Sequence, residues 1–266
     1  MQNIYFQLTR EFNDGRPRAV MSGGQAVVWH RLAIMSKDGD WILRPDPEAL
    51  AHVLGVLASR GATYRFGAPL DLRWLAEGWS SHLEFQEQGI RVRTDFVTRP
   101  PRLPESRLAR LWAAQDQGDP PVLGVLDLIA TKKTNREKDY VVIGELARLL
   151  EDPRDRLLNS RSARDLRDLA AGNPALAADL GGQRPLLREV AQGLEALEVA
   201  LDAERRALIH ANEDRLSRFL KAAEPWARRW PEVTRQMAGR PLAEAHAAMV
   251  AEAVGSLPCH VPGGLP

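Results

Sequence analysis

Two periodicities divide the chain. Up to about residue 150, apolar positions switch between the two-residue step of strands and the three- and four-residue steps of helices; beyond Asp152-Pro153 only the helical step recurs. Arg18 to Ser22 and Asp38 to Leu43 read as strands, with Gln25 to Arg31 as a short helix between them. Asp46 is a good N-cap with Pro47 at the first helical position, and Ala49, Leu50, Val53, Leu54 and Leu57 make an amphipathic helix that Gly61 ends. The alternation is cleanest from Ile90 to Phe96, where Ile90, Val92, Thr94 and Phe96 share one face and Arg91, Arg93 and Asp95 the other. Ser81 to Phe85 is a strand candidate joined to it through Gln-Glu-Gln-Gly, which suits a hairpin. Tyr64 to Phe66 reads as a short strand, and Leu72 to Gly78 stays open between a helical turn and a loop. Trp74 and Trp79 read as buried aromatics, with base stacking as the rarer alternative.

In the second half, Leu187, Val190, Leu194, Leu197, Leu201 and Leu208 mark one long helix from Pro185 to about Ala222. Its stripe is expected to pack on helices of the same chain, a homodimeric seam being the alternative. Pro225, Trp226, Trp230 and Pro231 mark a break before a last helix near Pro241 to Val254. The expected class is therefore α+β: a mixed sheet flanked by helices in a domain over residues 1–152, a C-terminal α-helical domain over 153–258, and a disordered tail over 259–266.

Composition adds mainly exclusions. Among 266 residues, 44% hydrophobic and 27% charged describe an ordinary soluble chain able to bury a core. The net charge of +1 gives no global field toward nucleic acid or membrane. From Arg91 to Lys138, however, ten Arg or Lys face six Asp or Glu, so a local basic surface for phosphate or RNA competes there with a plain solvated face. A lone cysteine, Cys259, excludes an internal disulfide framework, and six scattered histidines offer no zinc-type spacing. No apolar run is long enough for a membrane span, and a cytoplasmic location is the default expectation.

The candidate chemistry begins at Ser22-Gly23-Gly24, followed after thirteen residues by Asp38-Gly39-Asp40. On a strand, Asp38 and Asp40 project to one side. Two convergent carboxylates repel unless a hard cation sits between them, and Mg²⁺ is commonly held by one or two carboxylates plus substrate phosphates. The glycines let backbone approach a phosphate closely at the start of a helix. If the strand of Asp95 lies beside that of Asp38, a third acid joins the pair; otherwise Asp95 pairs with Arg91 or Arg93.

These features resemble the polymerase-β-type nucleotidyltransferase superfamily, particularly small prokaryotic members that include toxin-antitoxin and aminoglycoside nucleotidyltransferases. The stretch Val122 to Lys133, followed by Arg136-Glu137-Lys138-Asp139 and an apolar helix from Tyr140 to Leu150, is similar to the segment after the third acid in that group. The resemblance covers residues 15–152. It implies transfer of a nucleoside monophosphate from a nucleoside triphosphate to RNA such as tRNA, to a protein, or to a small molecule. It implies Mg²⁺ or Mn²⁺ held by Asp38, Asp40 and Asp95, phosphate contacts from Ser22, Gly23 and Gly24, and charge compensation from Lys132 or Lys133. Two positions depart from the pattern: Gly39 stands where an apolar residue is usual, and no arginine shortly precedes Asp38. The alternative is a nucleotidyltransferase-like antitoxin or interaction protein that performs no chemistry.

Overall fold

The computed structural model describes residues 3–113 and 118–264. Contacts divide the chain into two compact units, Met1–Leu123 with Arg215–Pro266, and Gly124–Asp214. The sequence boundary at residue 152 differs from this division, because the C-terminal segment belongs with the N-terminal sheet and Gly124 to Leu150 belongs with the helices that follow it.

The first unit is an α+β structure around a five-stranded mixed sheet. In chain order its elements are α1 (Ile4–Phe12), β1 (Ala19–Ser22), α2 (Gly23–Trp29), β2 (Asp38–Leu43), α3 (Pro47–Ser59), β3 (Thr63–Tyr64), α4 (Leu72–Leu75), β4 (Ser81–Glu87), β5 (Ile90–Val97) and α5 (Glu105–Ala113). The strand order is β1-β2-β5-β4-β3. Only β2 and β5 run parallel; the other neighbours are antiparallel. The β4–β5 hairpin turns on Gln88-Gly89, both with positive φ, as a two-residue primed turn requires. That loop is two residues shorter than expected, since Gln86 and Glu87 stay in the ladder.

Alternation sorts the sheet into two faces. Trp41, Leu43, Leu83, Phe85, Val92 and Phe96 are buried on one of them, in a cluster with Leu8 and Phe12 of α1 and Leu50, Val53 and Leu57 of α3. Trp41 stacks on Phe96 at 5.5 Å between ring centroids, and its indole N–H donates to Thr9 Oγ1 at 2.9 Å. Gly39 is explained by this packing, because a Cβ there would collide with the rings of Trp41 and Tyr5. The space that an apolar side chain would take there is filled by these rings.

The second unit is helical: α6 (Val125–Lys132), α7 (Glu137–Arg148), α8 (Pro153–Asn159), α9 (Ala163–Gly172), α10 (Pro174–Leu180), a 3-10 segment (Pro185–Gln192) and the first part of α11 (Leu194–Ala222). The single helix expected from Pro185 is thus interrupted at Gly193, whose φ of 103° ends the 3-10 segment before α11 begins. Leu187, Leu197 and Leu201 of the apolar stripe are buried in this unit's own core.

The chain then completes the first unit with α12 (Glu224–Met237) and α13 (Leu242–Ser256). The expected break at Pro225 to Pro231 is instead a helix: Pro225 occupies its first turn, where no N–H is needed, and Pro231 is carried inside it. Trp74 and Trp79 are buried and donate to the carbonyls of Leu257 and Cys259, at 2.9 Å each. These bonds tie down the segment read as a disordered tail, and Val261 is 4% exposed. They also leave neither indole free for base stacking. No helix among the described residues is long and apolar enough to cross a membrane.

Candidate functional site

The sheet face opposite the aromatic core carries a polar row across its full width. Register pairs Ser22 with Asp40, Asp40 with Asp95, and Asp95 with His82. Residues paired in this way point to one side of a sheet, so four polar side chains from four strands stand in line. Arg65, whose N–H donates to the His82 carbonyl at 2.9 Å, extends the row beyond β3. One pleat along, Asp38 pairs with Arg93 and Arg93 with Glu84. The expected placement of Asp95 beside Asp38 and Asp40, on their face, is therefore what the parallel pairing of β2 with β5 produces.

The side chains do not converge as three equivalent ligands. Among the described residues, no three His, Cys, Asp or Glu side chains form a group that could hold a metal ion. Asp95 Oδ1 instead meets His82 Nδ1 at 2.7 Å and accepts from Arg65 at 3.1 Å. Asp38 accepts from Arg93 at 3.4 Å, with 40% of its side chain exposed.

Asp40 leans onto the Gly-Gly turn. The Gly24 N–H donates to Asp40 Oδ2 at 3.4 Å, and a Cβ on Gly23 would overlap that carboxylate. Gly23 also has φ 57°, so two constraints coincide there. Gly24 is crowded separately, because its Cβ would strike Ser36 Oγ. The turn thus brings its backbone against the Asp40 carboxylate, a side chain of the same unit. Ser22 is buried, caps α2 without a side-chain hydrogen bond, and lies opposite Asp40.

The two lysines have local partners in the second unit. Lys132 is 8% exposed and meets Asp139 at 3.4 Å, while Lys133 Nζ donates to Asn159 Oδ1 at 3.2 Å. Asp139 also accepts from Thr134 Oγ1 at 2.5 Å and from Arg136 at 2.9 Å. Burial pushes the Asp139 carboxyl up, but the Thr134 hydrogen bond and the charges of Lys132 and Arg136 outweigh it and hold the group below its ordinary value.

Sequence reasoning missed His82, Arg65 and Ser80. The signal was present in the hairpin: once a two-residue turn is placed at Gln88-Gly89, counting back along both strands sets His82 opposite Asp95. In comparisons with protein families, curated proteins and solved structures, nothing matches the chain.

Proposed function

We propose that the first unit is a nucleotidyltransferase-type domain that binds a nucleoside triphosphate with a divalent cation and transfers its nucleoside monophosphate. The observation that carries this reading is the row Ser22, Asp40 and Asp95, with Asp38 on the same face and the Gly23-Gly24 turn against Asp40. A single Mg²⁺ or Mn²⁺ would be held by Asp38 and Asp40, which alternate to one side of β2, the missing Cβ of Gly23 leaving room for the Asp40 carboxylate. Such an ion supplies charge neutralisation to the triphosphate and its leaving group. A second cation shared with Asp95 does not fit while that carboxylate is engaged by His82 and Arg65, and no role is assigned to one.

The chain's own contribution is orientation. Ser22 Oγ and the Gly23 amide would supply donors for phosphate oxygens, with Gly24 N–H joining them once a ligand displaces its 3.4 Å contact to Asp40, and Arg93, 3.4 Å from Asp38, is a cation near enough to balance added negative charge. Lys132 and Lys133 are left out of the phosphate site, since each already has a partner within the second unit. Arg91 and Arg93 remain the basic residues on the sheet for a polyanionic acceptor such as tRNA; a protein or small-molecule acceptor is the other case to test. The deciding experiment is incubation with labelled nucleoside triphosphates and Mg²⁺ or Mn²⁺, with thermal-shift titration in parallel. Transfer that falls at least about a hundredfold in Asp40→Asn supports the enzyme. Nucleotide binding without transfer supports the second reading, a nucleotide-binding antitoxin or interaction protein, which the engagement of Asp95 by His82 and Arg65 favours. Absence of binding removes both.

A further inference from the structure

We propose that Ser80 is a nucleophilic serine, activated by His82 and oriented through Asp95, able to accept an acyl or phosphonyl group from an activated electrophile. Ser80 Oγ lies 2.9 Å from His82 Nε2, and His82 Nδ1 lies 2.7 Å from Asp95 Oδ1. These contacts link hydroxyl, imidazole and carboxylate in the order that makes a serine hydroxyl reactive in acyl-transfer enzymes.

The arrangement follows from the chain around β4. Ser80 immediately precedes the strand, two residues before His82, and its hydroxyl meets the ring, while the hairpin register places Asp95 beside the ring. A carboxylate can only accept, so the Asp95 contact puts the ring proton on Nδ1 and leaves Nε2 as an acceptor for the serine hydroxyl. The backbone is pinned at both positions: Ala68 N–H donates to the Ser80 carbonyl at 3.0 Å and Arg65 N–H to the His82 carbonyl at 2.9 Å. Gly67 packs against the ring, where a Cβ would come within 2.5 Å of His82 Cδ2. Ring and hydroxyl are thus held before any ligand arrives. His82 keeps 25% of its side chain exposed and Ser80 is half-buried, so the pair lies at the surface and not in the core.

With an activated carboxylic ester the step balances within these groups. A bond forms from Ser80 Oγ to the carbonyl carbon while the serine proton passes to His82 Nε2. The carbon–oxygen bond to the leaving alcohol then breaks, and that alcohol takes the proton from His82. The products are an acyl-serine and a free alcohol; a fluorophosphonate reacts at phosphorus in the same sense, releasing fluoride and the proton.

The test is labelling of the full chain with a fluorophosphonate probe and with p-nitrophenyl acetate, in chelator and without nucleotide, so that its outcome is separate from the nucleotidyl-transfer reading. One adduct mapped to Ser80 by peptide mass spectrometry, absent in Ser80→Ala and formed at least about a hundredfold more slowly in His82→Gln, is expected. Asp95 acts as a positioning residue: Asp95→Glu should retain more of the labelling rate than Asp95→Asn while both variants melt alike. No adduct on Ser80 in the folded protein, or a rate unchanged in folded His82→Gln, overturns the proposal.

Discussion

Glu204 in the helical unit and Asp38 in the sheet unit are held in opposite ways. In the helical unit, Glu204 sits between Arg161 and Arg184, and Arg184, 4% exposed, also donates to the carbonyls of Leu157 and Ser160 at 2.7 and 2.9 Å. Burial pushes the Glu204 carboxyl up, yet the hydrogen bond and charge of Arg184, with those of Arg161, hold it below its ordinary value. In the sheet unit, Asp38 meets one arginine at 3.4 Å and keeps 40% of its side chain exposed, whereas Asp95, held by His82 and Arg65, resembles Glu204 in this respect. A charge whose partners enclose it specifies the fold, because removing any partner strands the others in low dielectric. A charge with long or exposed partners can change them when a ligand arrives. That contrast, more than residue type, separates a structural acid from a candidate functional one.

The largest expected effect tests the enclosed side of the comparison. Glu204→Ala leaves Arg161 and Arg184 facing each other without their anion, and should cost about 3–5 kcal/mol in chemical denaturation followed by hydrogen exchange over Gly124–Asp214. A loss under about 1 kcal/mol would mean that the network is solvated and that the contrast fails.

Next comes the turn that serves the open side. Gly23→Ala forces a side chain into a left-handed position, at about 1–2 kcal/mol, and also displaces the Asp40 carboxylate. Gly15→Ala is the matched control, with φ 80° and nothing within 4 Å of its Cβ site. Gly23→Ala should lose more stability than Gly15→Ala, by the cost of displacing Asp40, and only Gly23→Ala should lose cation-dependent nucleotide binding by calorimetry. Equal binding in the two would separate the Gly-Gly turn from the site.

How far the sequence reveals this arrangement depends on the range of the interactions involved. Local patterns place Asp38 to Leu43, the Asp46-capped α3 and the Arg93/Asp95 face of β5, because alternation and capping act within a few residues. The break at Gly193 escapes detection since the apolar stripe continues across it, and the ordering of 259–264 escapes since it depends on Trp74 and Trp79 nearly two hundred residues earlier. The association of the C-terminal helices with the sheet unit is equally non-local. Within the site, composition draws attention to the acids, while the partners of Asp95 become visible only through register.

A smaller effect concerns pH, and the units should respond in different windows. In the sheet unit, burial depresses the His246 pKa below 6.5, outweighing the Asp71 charge that raises it. Tyr64 O–H donates to the neutral ring, at 2.8 Å to Nδ1, while its own oxygen accepts from Leu70 N–H. This contribution is complete above the unfolded pKa of about 6.5 and is lost as pH falls through the depressed folded value. Asp139 and Glu204 in the helical unit are also depressed, so their contributions are complete above ordinary values of 3.8 and 4.5 and are lost only in stronger acid. Hydrogen exchange between pH 7 and pH 5 should therefore show protection falling around Tyr64 and His246 before it falls in α7 and α11. Simultaneous loss would break the distinction.

The smallest effect sharpens what counts as open. Arg91 contacts Glu84 Oε2 through two nitrogens at 2.9 and 2.6 Å, yet half of its side chain remains in solvent. Short distances alone would rank this pair beside Arg184 and Glu204, whereas exposure predicts little coupling, because solvent and salt screen the attraction and two long side chains must be ordered. A double-mutant cycle of Arg91→Ala and Glu84→Ala should give under about 1 kcal/mol, shrinking further in 0.5 M salt. Arg65 lies 3.7 Å from the same Glu84, so the cycle must be repeated in Arg65→Ala to remove a shared partner. Coupling that stays above about 2 kcal/mol in both backgrounds would place Arg91 and Glu84 with the enclosed charges, and would withdraw Arg91 from the residues able to turn toward a polyanionic acceptor.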